Sequence, residues 1–267
     1  MEIVVCVKQV PDTTDVKVDP QTKTLVRDGV RAVLNPFDAF AIEEGLRIKE
    51  RFGSGRVTVI TMGPPQARAA LEEALAMGAD DAALISHRAF AGSDTLATSY
   101  ALSQAIKRIG KFDIVVCGKQ AADGDTAQVG PGIAVRLGIP QIIFVNRIAE
   151  ISKERIVAWR ITEEGHEVVE TRLPCLISVV KEANVPRYAS FSGKVRARRA
   201  QIPVWGPEDI GCDEAAIGLD GSPTWVDRIF APAHREGARP VPATDENIGK
   251  AVRALAPDLS EIWASRS

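Results

Sequence analysis

Cysteine, histidine and long apolar runs are scarce in this 267-residue sequence, and each scarcity excludes a class of function. Four cysteines, Cys6, Cys117, Cys175 and Cys212, stand far apart and form no C-x-x-C pair. The first three sit in or beside apolar runs, where a thiol behaves as a small buried hydrophobe. His87, His166 and His234 are the only histidines, so no zinc-ligand spacing can be assembled. No apolar run approaches the ~18 residues of a transmembrane helix. A formal charge of −2 gives no bulk attraction to nucleic acid or to an anionic membrane. The opening MEIVVCVKQVPD lacks a basic n-region and a small-residue cleavage site, and reads as a first strand rather than a signal peptide. The compartment implied is a reducing cytoplasm, or an organelle matrix if a targeting peptide has been removed.

What is present is an alternation of two periods. EIVVCVKQV is a β-branched apolar run of the kind buried on both faces of a sheet. NPFDAFAIEEGLRIKERFG then takes a helical period, with Phe37, Phe40, Ala41, Ile42 and Leu46 able to share a face, Glu43 and Arg47 placed as an i,i+4 pair, and Asn35 placed to cap before Pro36. RVTVITMG, AALIS and FDIVVCG repeat the strand pattern. PPQARAALEEALAMG, with Ala67, Ala70, Leu71 and Ala74 inward and Gly78 as its stop, repeats the helical one. So do SDTLATSYALSQAIKRIG, opened by Ser93 or Asp94, and TAQVGPGIAVRLG. This alternation predicts a parallel sheet with helices on both faces over residues 1 to about 140.

The remainder is different. RIAEISKERIVAWRITEEGHEVVETRLPCLISVVK reads as antiparallel strands with a hairpin turn at Glu164-Gly165. From about Gly206 apolar runs thin out, which predicts an extended arm. A last helix, DENIGKAVRALAPDL, carries Ile248, Val252 and Leu255 on one face. The expected division is a nucleotide-binding α/β domain over 1–205, including the hairpin region, and a C-terminal arm and helix over 206–267.

Open parallel sheets bind ligands beyond the carboxyl ends of their strands, where strand order reverses. For an order 3-2-1-4-5, Cys6-Val7-Lys8 and Cys117-Gly118 flank that crevice. The stretch CGKQAADGDTAQVGPGIAVRLG therefore lies at the favoured place. Two helices are expected to start beside it, at Ser93-Asp94 and at Asp125-Thr126, where free amides suit a phosphate. Thr95 and Thr98, three apart, put two hydroxyls on the first turns of one of them; capping and back-bonding are the alternative roles. GKQ at 118–120 is not a P-loop and GPGIAV is not a dinucleotide fingerprint. Asp123 and Asp125, with no histidine or third carboxylate nearby, read as loop-forming residues rather than a metal or acid/base pair. No nucleophile–base arrangement can be assembled, so no catalytic residue is assigned.

NPFDAFAIEEGLRIKE, ALAMGAD, GKQAADGDTAQVGPGIA and VPRYAS together resemble the β subunit of electron transfer flavoproteins, in order over roughly residues 1 to 200. The resemblance implies a domain related to adenine-nucleotide-binding folds of the α-hydrolase type, forming a heterodimer with an α subunit that carries a further FAD. It implies that an adenine nucleotide is held by Cys6, by Asn35, Pro36, Phe37 and Asp38, by Met62, and by Gly118, Lys119, Gln120, Ala121, Asp123, Gly124, Asp125, Thr126, Gln128 and Val129. DGDTAQVGP and SDTLAT resemble the electron-bifurcating group, in which this site takes FAD, with Asp94, Thr95 and Thr98 beside its phosphates and ribityl chain. Gly124 leaves room where an aspartate stands in relatives that bind AMP, the alternative ligand. With FAD, the resemblance implies hydride from NADH, one electron to ferredoxin or flavodoxin and the other through the α-subunit flavin to an acyl-CoA dehydrogenase-type partner. With AMP it implies a plain electron shuttle.

VPRYASFSGKVRARR resembles the family's recognition loop. Phe191 stands at the position of its inserted apolar side chain, and Lys194, Arg196, Arg198 and Arg199 form a basic patch able to steer an acidic partner. A core phenylalanine is the alternative for Phe191. Two rival classes share the fold. A universal-stress-type nucleotide module leaves the hairpin and the recognition loop unexplained, and an ATP-pyrophosphatase-type enzyme lacks its SGGxDS-like first loop here. Nucleic-acid binding and direct membrane insertion are not expected.

Overall fold

The computed structural model describes residues 1–12, 32–227, 248–250, 252, 253 and 256. Its strands are β1 (Glu2–Cys6), β2 (Gln9–Pro11), β3 (Ala32–Leu34), β4 (Arg56–Met62), β5 (Asp81–Ile85), β6 (Ile114–Gly118), β7 (Gln141–Ile151), β8 (Arg155–Thr162), β9 (Gly165–Arg172), β10 (Cys175–Val179) and β11 (Val204–Trp205). The helices are α1 (Pro36–Arg51), α2 (Arg68–Met77), α3 (Thr95–Ile109), α4 (Val129–Leu137) and α5 (Phe191–Arg199). Nine strands form one sheet in the order β11-β5-β4-β1-β6-β10-β7-β8-β9, and β2 pairs with β3 in a small antiparallel sheet. The chain winds from β1 through β4 to β5, then returns to place β6 on the other side of β1. The strand order thus reverses between β1 and β6, as expected.

The expected alternation is what builds this sheet. β1, β4, β5, β6 and β10 run parallel and are buried along nearly their whole length. One face packs residues of α1, α2 and α5, including Ala41, Ile42, Leu71, Ala74 and Ala197. The other packs residues of α3 and α4, including Ala101, Leu102, Ile106 and Ile133. Ala67, Ala70, Leu71 and Ala74 all point inward, and Gly78 ends α2 at φ 135°. Cys6, Cys117 and Cys175 are buried, and burial pushes the Cys175 thiol up to about 12, the behaviour of an inert core group.

Several local expectations are corrected. β10 is not part of an antiparallel run: it inserts parallel between β6 and β7, because CLISV is apolar but for Ser178, whose Oγ accepts from Phe144 N, and such a run fits where both faces are covered. The hairpin β8–β9 turns at Glu163-Glu164, with Gly165 paired to Thr162 at φ 141°. Arg47 pairs with Glu44 rather than Glu43, since Glu43 is engaged by Arg187. Residues 191–199, read as a loop, form α5, capped by Ser190 Oγ accepting from Gly193 N at 3.0 Å.

The chain divides into compact units Met1–Ile229 and Phe230–Ser267, so the first extends past the expected boundary at 205. Within it, Ile210 and Ile217 are buried against the α3 face, and Gln104 Nε2 and the Tyr100 hydroxyl bond the 211–213 backbone. These side chains replace the regular apolar pattern that the segment lacks. In the second unit residues 248–250, 252, 253 and 256 are helical, with Ile248 and Val252 exposed. Leu255 and the rest of the expected arm from 228 lie outside the described residues.

Candidate nucleotide site

The carboxyl ends of β1, β4 and β6, the start of α1 and the N-termini of α3 and α4 meet at the switch point. Asn35 is 1 % exposed and stands at the cap position of α1, yet its side chain makes no capping bond. Instead its Nδ2 donates to Gln120 O at 2.8 Å and its Oδ1 accepts from Ala122 N at 3.1 Å. A buried amide thus serves as the template for the loop after β6. One turn on, Asp38 Oδ2 accepts from Lys8 N at 2.7 Å. Burial pushes the Asp38 carboxyl up to about 7, against the opposing hydrogen bonds of Lys8 N, Asn35 and Gly118 N.

Gly118 is where this packing demands glycine. A Cβ there would lie on the Asp38 carboxylate and 2.8 Å from the Phe37 carbonyl carbon. Beyond it, Asp125 and Ala127 take left-handed φ of 52° and 55°, which delays α4 until Val129. The expected helix start at Asp125-Thr126 is therefore displaced by this loop. Asp123, Gly124, Asp125 and Thr126 are exposed. Lys8 Nζ reaches both Asp123 oxygens at 2.7 and 2.9 Å, and Gln120 Nε2 bonds Asp125. The two aspartates shape the loop and do not form a bare carboxylate pair.

The two helix N-termini differ. Asp94 caps α3, its Oδ1 accepting from Leu96 N and Ala97 N at 2.9 and 3.0 Å, while its Oδ2 accepts from Thr224 N and Oγ1 at 3.2 and 2.8 Å. Burial alone would raise the Asp94 carboxyl, but these bonds outweigh it and hold it below its ordinary range. The first amides of α3 are thus already engaged. At α4 the cap residue Gln128 makes no capping bond, so the Val129 and Gly130 amides lack a side-chain cap at the positive end of the helix dipole. Thr95 Oγ1 donates to Gln128 Oε1 at 3.2 Å, joining the two helix starts. A Cβ on Gly132 would fall 2.7 Å from Ser99 Oγ, which is why glycine occurs where α3 and α4 cross closely.

The structure thus brings together Cys6, Asn35, Asp38, Gly118, Gln120, Asp123 and Asp125 in one group, and Thr95 and Gln128 in another beside it. Met62 ends the neighbouring β4, half-buried against the α3 face. Lys119 lies over the Phe144 ring at 5.5 Å. Lys8, placed at the crevice by the sequence reading but given no role there, stands two residues past the end of β1 and ties down the loop through Asp123. Ser222 and Thr224, which hold the α3 cap, left no local signal. Phe191 and Tyr188 are 85 and 99 % exposed, which removes the core alternative for Phe191. Arg196 is not free, since its Nη2 donates to Leu75 O and Ala79 O at the end of α2.

An adenine nucleotide fits this donor set. The uncapped amides at α4 suit a phosphate, and the Lys8 ammonium and Thr95 hydroxyl, bonded to Asp123 and Gln128, stand beside them. A Cβ on Gly124 would meet nothing within 4 Å, so the loop presents a bare backbone face there. Among the described residues no three His, Cys, Asp or Glu side chains form a metal site, and no helix is long and apolar enough to cross a membrane.

A parallel sheet with its polar loops, glycines and open helix end at the reversal point defines a nucleotide-binding α/β protein. The electron transfer flavoprotein domain matches residues 22–210. The chain is 48 % identical over 253 residues to an electron transfer flavoprotein subunit beta of Megasphaera elsdenii, covering 92 % of this chain and 93 % of the relative. It is 49 % identical to the caffeyl-CoA reductase-Etf complex subunit CarD of Acetobacterium woodii, over 92 and 94 % of the two chains. It is 50 % identical to protein FixA of Azotobacter vinelandii, over 88 and 85 %. The chain belongs to the electron transfer flavoprotein family, in its β-subunit branch.

Proposed function

We propose that this chain is the small subunit of a heterodimeric electron transfer flavoprotein and holds FAD by its adenine end in the crevice between β1 and β6. The observation that carries the choice of FAD is the meeting of the α3 and α4 N-termini through Thr95 and Gln128, beside the open backbone face at Gly124. Two adjacent helix starts give a ligand room to continue past its first phosphate. The fit to a structural AMP rests on a different observation. Asp94 already occupies the first amides of α3, which leaves the single open helix end at α4 for one phosphate. We favour FAD, because Thr98 offers a hydroxyl to a longer chain beside Thr95, whose own hydroxyl a ligand oxygen could take over from Gln128 Oε1.

Bound flavin supplies the redox chemistry, accepting hydride and releasing electrons singly. The protein's own residues bind and orient: Asn35 and Asp38 set the loop, Lys8 and the α4 amides meet anionic oxygens, and glycines admit the ligand backbone to backbone. With flavin held there, NADH would supply the hydride, one electron would go to ferredoxin or flavodoxin, and the other by the α-subunit flavin to an acyl-CoA dehydrogenase-type protein. Phe191, with Lys194, Arg198 and Arg199 around it, docks that last partner. A visible spectrum of the purified heterodimer tests the flavoprotein assignment: flavin bands are expected, and a colourless complex refutes it.

A further inference from the structure

The segment before α5 combines complete exposure with tight restraint. Val185, Tyr188 and Phe191 are 87, 99 and 85 % exposed, as large apolar side chains seldom are without a partner. Between them, Arg187 is fixed from three sides of its guanidinium. Its Nε donates to Glu43 Oε2 at 2.7 Å and its Nη2 to Glu43 Oε1 at 3.0 Å. Its Nη1 and Nη2 donate to Glu50 at 2.6 and 3.2 Å, and its backbone N adds a further bond to Glu43 at 3.1 Å.

Glu43 is 5 % exposed. A buried carboxylate is tolerated only when fully paired, so α1 has one arrangement of this segment that satisfies it. Bonds to Arg187 hold the Glu50 carboxyl below its ordinary range. Three residues before Arg187, Asn184 Nδ2 donates to Glu44 Oε2 at 2.9 Å and to Phe40 O at 3.1 Å. Two exposed aromatics therefore project from a segment clamped to the same helix, α1, whose first turn builds the nucleotide site.

We propose that Arg187 is a positioning residue for partner docking: through its bridge to Glu43 and Glu50 it presents Tyr188 and Phe191 as one preformed apolar anchor. This rests on the docking reading above and adds to it a second contact residue and the device that orders both. The partner it fits is an acyl-CoA dehydrogenase-type protein whose apolar surface pocket is rimmed by carboxylates. Lys194 and Arg198, exposed beside Phe191, have no carboxylate within 4.0 Å among the described residues. Preformed anchors bind more tightly because the ordering is already done in the free protein.

The test uses the heterodimer with NADH and ferredoxin, and an acyl-CoA dehydrogenase with its enoyl-CoA substrate as the electron-accepting partner. Arg187→Lys keeps a cation on Glu43 but cannot bridge two carboxylates; Glu50→Gln weakens the outer half alone and leaves Glu43 paired. For Arg187→Lys we expect amide exchange over 184–192 to rise about 10-fold. The KM for the dehydrogenase should rise 5-fold or more, with the same kcat at saturation and the same flavin content. Glu50→Gln should move both quantities in the same direction by less. Tyr188→Ala should raise KM without changing exchange. Wild-type turnover with an unchanged KM in Arg187→Lys, or a fall in kcat with KM unchanged, overturns the positioning role while leaving the docking reading standing. A wild-type heterodimer that passes no electrons to the dehydrogenase overturns the docking reading and this role with it.

Discussion

At the residue scale, two glycines of one loop are glycine for opposite reasons. Gly118 has no room for a Cβ, which would press on Phe37 and the Asp38 carboxylate; overpacking of this kind costs about 1–3 kcal/mol. Gly118→Ala should therefore lower stability by that amount in denaturant unfolding, and reduce retained nucleotide as a consequence. Gly124 faces open space, so Gly124→Ala should leave unfolding within about 0.5 kcal/mol while still reducing retained nucleotide. Asp38 gives a pH signature. Its carboxyl titrates from 3.8 in the unfolded chain up to about 7 in the fold. Between those values the native state holds a proton that the unfolded state has released, so its contribution to stability declines as pH rises from 4 to 7 and is level above. Asp38→Asn should remove that component of the slope in urea unfolding measured across the range, and an unchanged slope would refute the assignment.

Elements place these residues, and here the readings that came true were the ones a short window can carry. A β-branched run followed by an amphipathic helix is legible because period 2 and period 3.6 are local properties. The delayed start of α4 was not, since it depends on two non-glycine residues at positive φ in a loop whose preceding residues Gln120, Ala122 and Asp123 are tied to Asn35 and Lys8, 85 or more positions away in sequence. Asn35 itself was legible as a cap by position, yet its amide turns to the loop after β6. Its loss removes the partner of the half-buried Gln120 carbonyl and of the Ala122 amide, at about 0.5–1.5 kcal/mol for each bond. We expect Asn35→Ala to speed amide exchange across 120–126 while protection in β1 and β6 is retained. Uniform acceleration would mean that the whole fold, and not the loop, had been loosened. The α5 helix escaped notice because its faces are basic and small, with Gly193 packed directly on Ala76.

For the whole molecule, the order of strands around β1 followed from alternation and right-handed crossover. The placement of β10 between β6 and β7 did not, because sheet neighbours far apart in sequence leave no local mark. The candidate site was legible as a set of types, small residues and short polar groups at a strand end, and so was Asp94 as a cap; that the α4 start carries no such cap was not, because the loop before it displaces the helix to Val129. That difference between the two helix ends also sets the central question, whether the crevice between β1 and β6 grips a dinucleotide flavin or a mononucleotide. Acid extraction of the purified heterodimer, with FAD and AMP quantified against protein, answers it directly. Two FAD and no AMP per heterodimer is the predicted result, and one FAD with one AMP would contradict it.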